Sequence, residues 1–208
     1  MHEIIDGLFT WSRLSEVHGY NFNGYFLHDP EGNLVIDPVE PEAADLERLA
    51  DEGVARILIT NRNHGRAANM VREATGARIA IHPLDAGHAR EQGCNIDEDL
   101  KHHAIVGPLT VVPADGKSSG EVALYWASRR CLFVGDVVIV NPPGRCALLP
   151  DEKLDDPARL RESVRELVAL DFDCLMVGDG TPILEGAKAR LEELVASFPP
   201  RRSMPDVD

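Results

Sequence analysis

Four short stretches of this chain place polar side chains directly after apolar runs, where they could do chemistry. Ile57-Leu58-Ile59 leads into Thr60-Asn61-Arg62-Asn63-His64-Gly65-Arg66, a turn with alternating polar residues that ends where an Ala-rich helical segment begins. Pro113-Ala114-Asp115-Gly116-Lys117-Ser118-Ser119-Gly120-Glu121 lies between two apolar runs, Leu132-Phe133-Val134-Gly135 ends in Asp136, and Leu175-Met176-Val177-Gly178 ends in Asp179. A lysine held beside carboxylates, with His64 near, has the parts for general base catalysis and oxyanion stabilisation in the hydrolysis of a small ester, thioester or lactone. Arg66 and Lys117 beside backbone amides at the start of the following helix would instead attract a phosphate, sulfate or carboxylate. As metal ligands the set is weak, because an Asn amide offers only a carbonyl oxygen where an imidazole would offer a nitrogen lone pair.

The elements that must position these residues alternate strand and helix after an all-strand opening. Apolar patterning predicts strands over 4–11, 24–27 and 33–36, with Asp29-Pro30-Glu31-Gly32-Asn33 as the turn between the last two. Helical spacing of Ala43, Leu46, Leu49 and Ala50 predicts a helix over 41–51, followed by a strand over 54–59 and a helix over 65–75 stopped by Gly76. A strand over 78–81 and a helix over 84–91 come next, then strands over 109–112, 121–126 and 131–134. An amphipathic helix over 157–169 and a closing helix over 183–197 flank a buried strand over 174–177, and the proline-bearing tail from 198 reads as frayed.

Composition sets the outer limits. With 208 residues, 44% hydrophobic and 27% charged, the chain is long enough for one well-buried core, so a single domain spanning 1–208 is expected. A formal net charge of −14 repels phosphate backbones and anionic lipid, which argues against nucleic acid and membrane partners. The acidic N-terminus does not read as a signal peptide, and no apolar run approaches a membrane span. Cys94, Cys131, Cys146 and Cys174 show no CxxC pairing and read as free thiols filling the core, so a cytoplasmic location is expected.

Taken in order, the four stretches resemble the metallo-β-lactamase superfamily. Its first turn reads Thr-His-x-His-x-Asp-His, its next loop roughly Pro-Gly-His-Thr-Pro-Gly-Ser, and its later strand ends Gly-Asp and Gly-His-Gly; Gly32-Asn33-Leu34-Val35-Ile36-Asp37 precedes them in family order. The resemblance implies an α/β (α+β) four-layer αββα sandwich, two sheets face to face with helices outside and a cleft along one edge. It also implies that the family's ligand positions fall, by an ungapped count, on Asn61, Asn63, Gly65, Arg66, Lys117, Asp136 and Asp179. A two-residue deletion would instead lay Asn63-His64 over the family's Asp-His. On the ungapped count the imidazoles are gone from these positions and only Asp136 keeps a ligand type in its usual place.

That mapping turns into an expectation of a metal-free cleft. A protonated Lys117 about 4 Å from a dication, at an effective dielectric of about 20, costs roughly 8 kcal/mol by Coulomb's law. Against a zinc binding free energy of about 10 to 16 kcal/mol for a full ligand set, the lost imidazoles and this repulsion abolish tight binding. Lys117 and Arg66 would face Asp136 and Asp179, with Asn61 and Asn63 completing the hydrogen bonds, so no cofactor is expected. Three readings follow: a residual or silent metal-free hydrolase; a hydrolase with one weakly bound divalent metal on Asp136, Asp179, His64 and Asp115; and a binding module for a small anionic molecule. His18 and Tyr20 are candidates for the cleft rim, and the loop over 141–151 for a lid or substrate wall, with a homodimer contact through Leu148 and Leu149 as the competing reading. His82, His88, His102 and His103 read as structural or solvated.

Overall fold

The computed structural model describes residues 1–200. Its first sheet runs in chain order through β1 (His2–Ile5), β2 (Leu8–Ser15), β3 (Tyr20–Leu27), β4 (Leu34–Ile36), β5 (Arg56–Ile59), β6 (Arg78–Ile81) and β7 (Glu98–Asp99). The first four strands are antiparallel neighbours, and β4 to β7 are parallel. Helices α1 (Ala43–Glu52), α2 (Ala68–Thr75) and α3 (Pro83–Glu91) make the crossovers that parallel pairing requires. The second sheet contains β8 (Ile105–Val106), β9 (Leu109–Pro113), β10 (Val122–Trp126) and β11 (Cys131–Phe133). A two-stranded ribbon, β12 (Ile139–Val140) with β13 (Cys146–Ala147), and helix α4 (Pro157–Leu167) lead to β14 (Cys174–Met176), which pairs parallel with β11 at the sheet edge. Helix α5 (Ala187–Ala196) closes the described chain.

Alternation along the strands decides the layering. In β4 and β5, Val35, Ile57 and Ile59 point to one face and pack with Leu49, Val71, Ala86 and Ala89 of the helices. Leu34, Ile36 and Leu58 point the other way and meet Leu109, Val111, Leu124, Phe133 and Met176 of the second sheet. The outer face of that sheet, with Ala123, Leu132 and Leu175, is covered by Leu160, Val164, Leu167, Ala187 and Leu191 of α4 and α5. Three apolar interfaces between four layers make the expected αββα sandwich, and strands apolar on both faces are what central strands in such a sandwich require.

Departures from the expected elements have local causes. The strand expected over 4–11 breaks at Gly7, whose φ of 76° turns the chain between β1 and β2. The helix expected from 65 starts at Ala68, because residues 61–67 wrap around the buried His64. Ile183 exchanges backbone hydrogen bonds with Leu175 instead of opening a helix, so α5 begins at Ala187. Phe198 packs partly buried against the α4–α5 core, so the tail is docked at that residue; the rest of the expected frayed segment, from 201, lies outside the described residues.

All four cysteines are free, and Cys94, Cys131 and Cys146 are buried. Among the described residues no helix is long and apolar enough to cross a membrane.

Candidate functional site

Five loops converge at one edge of the sandwich, beyond the carboxyl ends of β4, β5, β11 and β14 and between β9 and β10. Asp37, after β4, sits at φ 47° and accepts from the Thr60 amide at 2.8 Å and the Thr60 hydroxyl at 2.6 Å, which anchors the turn after β5. That turn carries His64 inward until it is fully buried, with Nδ1 at 2.8 Å from Asp37 Oδ2 and Nε2 at 3.0 Å from Asp136 Oδ1. The approach is close enough to demand two glycines. A Cβ on Gly178 would lie 2.5 Å from His64 Cε1, and one on Gly135 would lie 2.3 Å from the Thr60 hydroxyl.

Burial, and then the Arg66 charge, pull the His64 pKa down, but the Asp136 and Asp37 carboxylates outweigh both and leave it raised to about 9. The imidazole is therefore a cation at neutral pH, with each ring N–H given to a carboxylate. Burial works to raise the Asp136 carboxyl, yet His64, followed by Lys117 and Arg66, holds it well below the usual carboxylate range.

Lys117 enters from the loop between β9 and β10 and is 5% exposed. Its ammonium lies 2.9 Å from Asp136 Oδ2, 3.0 Å from Asn61 Oδ1 and 2.6 Å from Asn63 Oδ1, so each of its three protons has an acceptor. Asn61 passes the network on, donating from Nδ2 to Glu121 Oε1 at 3.1 Å, an atom that also accepts the Asp136 amide at 3.1 Å. Glu121 is fully buried, and among the described residues its Oε2 has no partner; burial, then the Asp136 charge, push its pKa well above the usual carboxylate range. At the outer side of the cluster, Arg66 donates to Asp179 Oδ1 at 3.2 Å and lies over the Phe22 ring at 4.3 Å. Burial and the Asp136 charge raise the Asp179 pKa, and Tyr20, which bonds to Asp179, is pushed up to about 12 chiefly by burial.

A second buried carboxylate positions both loops without entering the cleft. Asp85, 1% exposed, accepts from the Arg62 amide at 2.8 Å, the Ser118 hydroxyl at 2.5 Å and the Gly120 amide at 2.8 Å. Asp85→Ala is expected to lower unfolding free energy by roughly 3 kcal/mol, because three inward-facing donors lose their acceptor. Urea denaturation measures it, and a loss below about 1 kcal/mol would show that water replaces the carboxylate.

All seven expected cluster residues, Asn61, Asn63, His64, Arg66, Lys117, Asp136 and Asp179, meet here. The ungapped count understated His64, which occupies the centre, while Gly65 packs toward Cys94. Asp115, expected as a further ligand in the metal-binding reading, turns away to Arg159 at 2.9 and 3.0 Å because α4 presents that guanidinium to its loop. His82 and His102 stack on each other at 4.3 Å and His88 bonds Gln92, all away from the cleft. Asp37, Asp85 and Glu121 escaped the sequence reading as site residues. Asp37 had a usable signal, a carboxylate closing an all-apolar strand in the manner of Asp136 and Asp179.

The cluster floors a cleft of about 630 Å³. His18, Tyr20 and Phe22 of the β2–β3 hairpin line it, as do Ile139, then Leu149 and Pro150 of the wall loop expected over 141–151, and Lys153 just beyond that loop; Leu148 packs partly buried against the α4–α5 core. For a metal, His64, Asp136 and Asp179 offer one atom each, all within 4.8 Å of one another, and among the described residues no other such group occurs. The atoms are close enough for one ion; Asp136 also pairs with Lys117, and His64 also bonds Asp37.

A family model described as Metallo-beta-lactamase superfamily matches residues 4–198. A comparison with curated proteins gives no match. Among solved structures, the chain is similar to TTHA1623 in a di-iron-bound form, with 25% identity and a TM-score of 0.67 over 83% of this chain and 94% of that one. It is similar in fold to the metallo-β-lactamase from Pontibacter korlensis, at 16% identity and TM-score 0.76, over 95% of this chain and 98% of that one. The mono-zinc form of FIM-1 from Pseudomonas aeruginosa gives 14% identity and TM-score 0.72, covering 95% of each chain.

Proposed function

The chain belongs to the metallo-β-lactamase superfamily, and on that premise we propose that it works without a metal, as a small-molecule cleft in which Lys117, His64 and Arg66 supply the positive charge. The observation that carries this reading is the Lys117 ammonium, buried and bonded to Asp136, Asn61 and Asn63 at once. Three basic groups (Lys117, His64, Arg66) already face Asp37, Asp136 and Asp179, and a divalent ion would add two positive charges beside them. Lys117 alone opposes such an ion by roughly 8 kcal/mol at about 4 Å and an effective dielectric of about 20. Stripping the His64 proton at neutral pH costs about 3 kcal/mol more. Together these approach the whole binding energy of a complete zinc site, about 10 to 16 kcal/mol, with a single imidazole here to earn it.

The same geometry weighs against Lys117 as a general base, since all three of its protons are engaged. Hydrolysis of a small ester, thioester or lactone remains a second reading, favoured by Asp179, a carboxylate of raised pKa that lines the cleft beside Arg66. The buried free thiols support a cytoplasmic setting. Protein purified without chelator is expected to contain substoichiometric zinc, iron and manganese, and to melt at the same temperature with EDTA or added zinc. Stoichiometric metal, lost with EDTA together with thermal stability, overturns the reading in favour of a metal on His64, Asp136 and Asp179. Turnover of an ester, thioester or lactone that disappears in Asp179→Asn would establish the hydrolytic reading over simple binding.

A further inference from the structure

The charge of the cleft runs against that of the chain. Its lining carries three cations (Arg66, Lys117, Lys153) and two carboxylates (Asp136, Asp179), a balance of +1 in a protein of net charge −14. Lys117 is satisfied internally, but Arg66 gives the protein one hydrogen bond, to Asp179, and Lys153 stands exposed with no ion-pair partner among the described residues. A guanidinium with donors in reserve and an exposed ammonium line the same cleft and together give it positive charge that an anion can meet.

Beside them stands a wall of aromatic rings tilted to one another. The rings of His18, Tyr20 and Phe22 touch one another, with centroids 5.6 Å apart for His18 and either neighbour and 6.1 Å for Tyr20 and Phe22. Leu149 and Pro150 add aliphatic surface from the loop just before Lys153. A cleft of about 630 Å³ is of the size that takes a small organic molecule. Asp136 and Asp179 limit the charge such a molecule can bring, because a surplus of +1 suits a monoanion and not a dianion.

We infer that the cleft binds a small organic carboxylate with an aromatic body, its carboxylate meeting Arg66 and Lys153 and its body packing against the tilted rings of His18 and Tyr20. This rests on the metal-free reading, since Arg66 and Lys117 are the groups that make the floor cationic without an ion. Isothermal titration of the full chain with 2-naphthoate and with its neutral counterpart 2-naphthamide tests it. The acid is expected to bind one to one and about tenfold more tightly than the amide. Lys153→Gln, at an exposed position where the fold is not at stake, should weaken the acid roughly threefold to fivefold and leave the amide unchanged.

No binding of 2-naphthoate at millimolar concentration, equal affinity for acid and amide, or an unchanged affinity in Lys153→Gln overturns the inference. Metal analysis of the same sample separates the two claims. Metal-free protein that ignores 2-naphthoate sinks the ligand inference alone, whereas 2-naphthoate binding that needs a metal and vanishes with EDTA sinks the metal-free reading beneath it.

Discussion

Lys117→Met is expected to lower the unfolding free energy by about 3 to 5 kcal/mol, the range found when one partner of a buried ion pair is removed. The ammonium is the partner of Asp136 Oδ2 and of two amide oxygens, and none of the three is replaced by a thioether. Methionine fills much of the same volume, so the loss is electrostatic and not a cavity effect. A companion variant, Lys117→Met with Asp136→Asn, removes the uncompensated charge as well and should recover part of the loss. Urea denaturation of both variants reads this directly. A single-variant loss below about 1 kcal/mol would mean that the ammonium contributes no more than a surface pair and does not hold the site together.

The second large effect is a loss of stability in alkali. His64 has its pKa raised from 6.5 to about 9, so the folded state binds its proton more tightly than the unfolded chain does. Its contribution is fully present below 6.5 and disappears as pH rises through about 9. Over that window the change amounts to about 3 kcal/mol. Glu121, raised by burial, declines in the same direction, since ionising it in place becomes more costly as the unfolded chain ionises freely. Asp136 has the opposite sign: its depressed pKa adds stability above the ordinary carboxylate range that is lost in acid. Unfolding free energy measured at a series of pH values should therefore fall steeply above neutrality, and His64→Gln should flatten that fall. A wild-type curve that stays level from 6.5 to about 9 would show that His64 is not an imidazolium held between Asp37 and Asp136.

Both effects arise because the cluster is dry. Asn61, His64 and Glu121 are wholly buried, and Lys117 and Asp136 nearly so, which makes each bond strong and each vacancy costly. It also explains the accompanying glycines: side chains packed this closely leave no room for a Cβ at Gly135 or Gly178. The cluster forms the floor of the cleft, which Asn63, Arg66, Lys117, Asp136 and Asp179 line.

The amino-acid sequence by itself determined most strands and helices and, through its resemblance to the metallo-β-lactamase superfamily, the layered fold and the roll of cluster residues. Alternation and unbroken apolar runs settle which strands are buried on both faces, and polar residues placed just past Ile59, Gly135 and Gly178 must gather wherever those strand ends gather. Those are properties of short segments, and short segments are legible. Which residue faces which was decided by tertiary structure alone. Counting along the turn after Thr60 left His64 in the cluster but off the family's ligand positions, yet the packing of β4 against β5 brings Asp37 beside it and places it at the centre. Asp115 and Lys117 share one loop, two residues apart, and only the position of Arg159 on α4 draws the first outward while Asn61, Asn63 and Asp136 receive the second. Glu121 and Asp85 became visible for the same reason: a buried carboxylate is defined by the donors around it, and those donors lie many residues away along the chain.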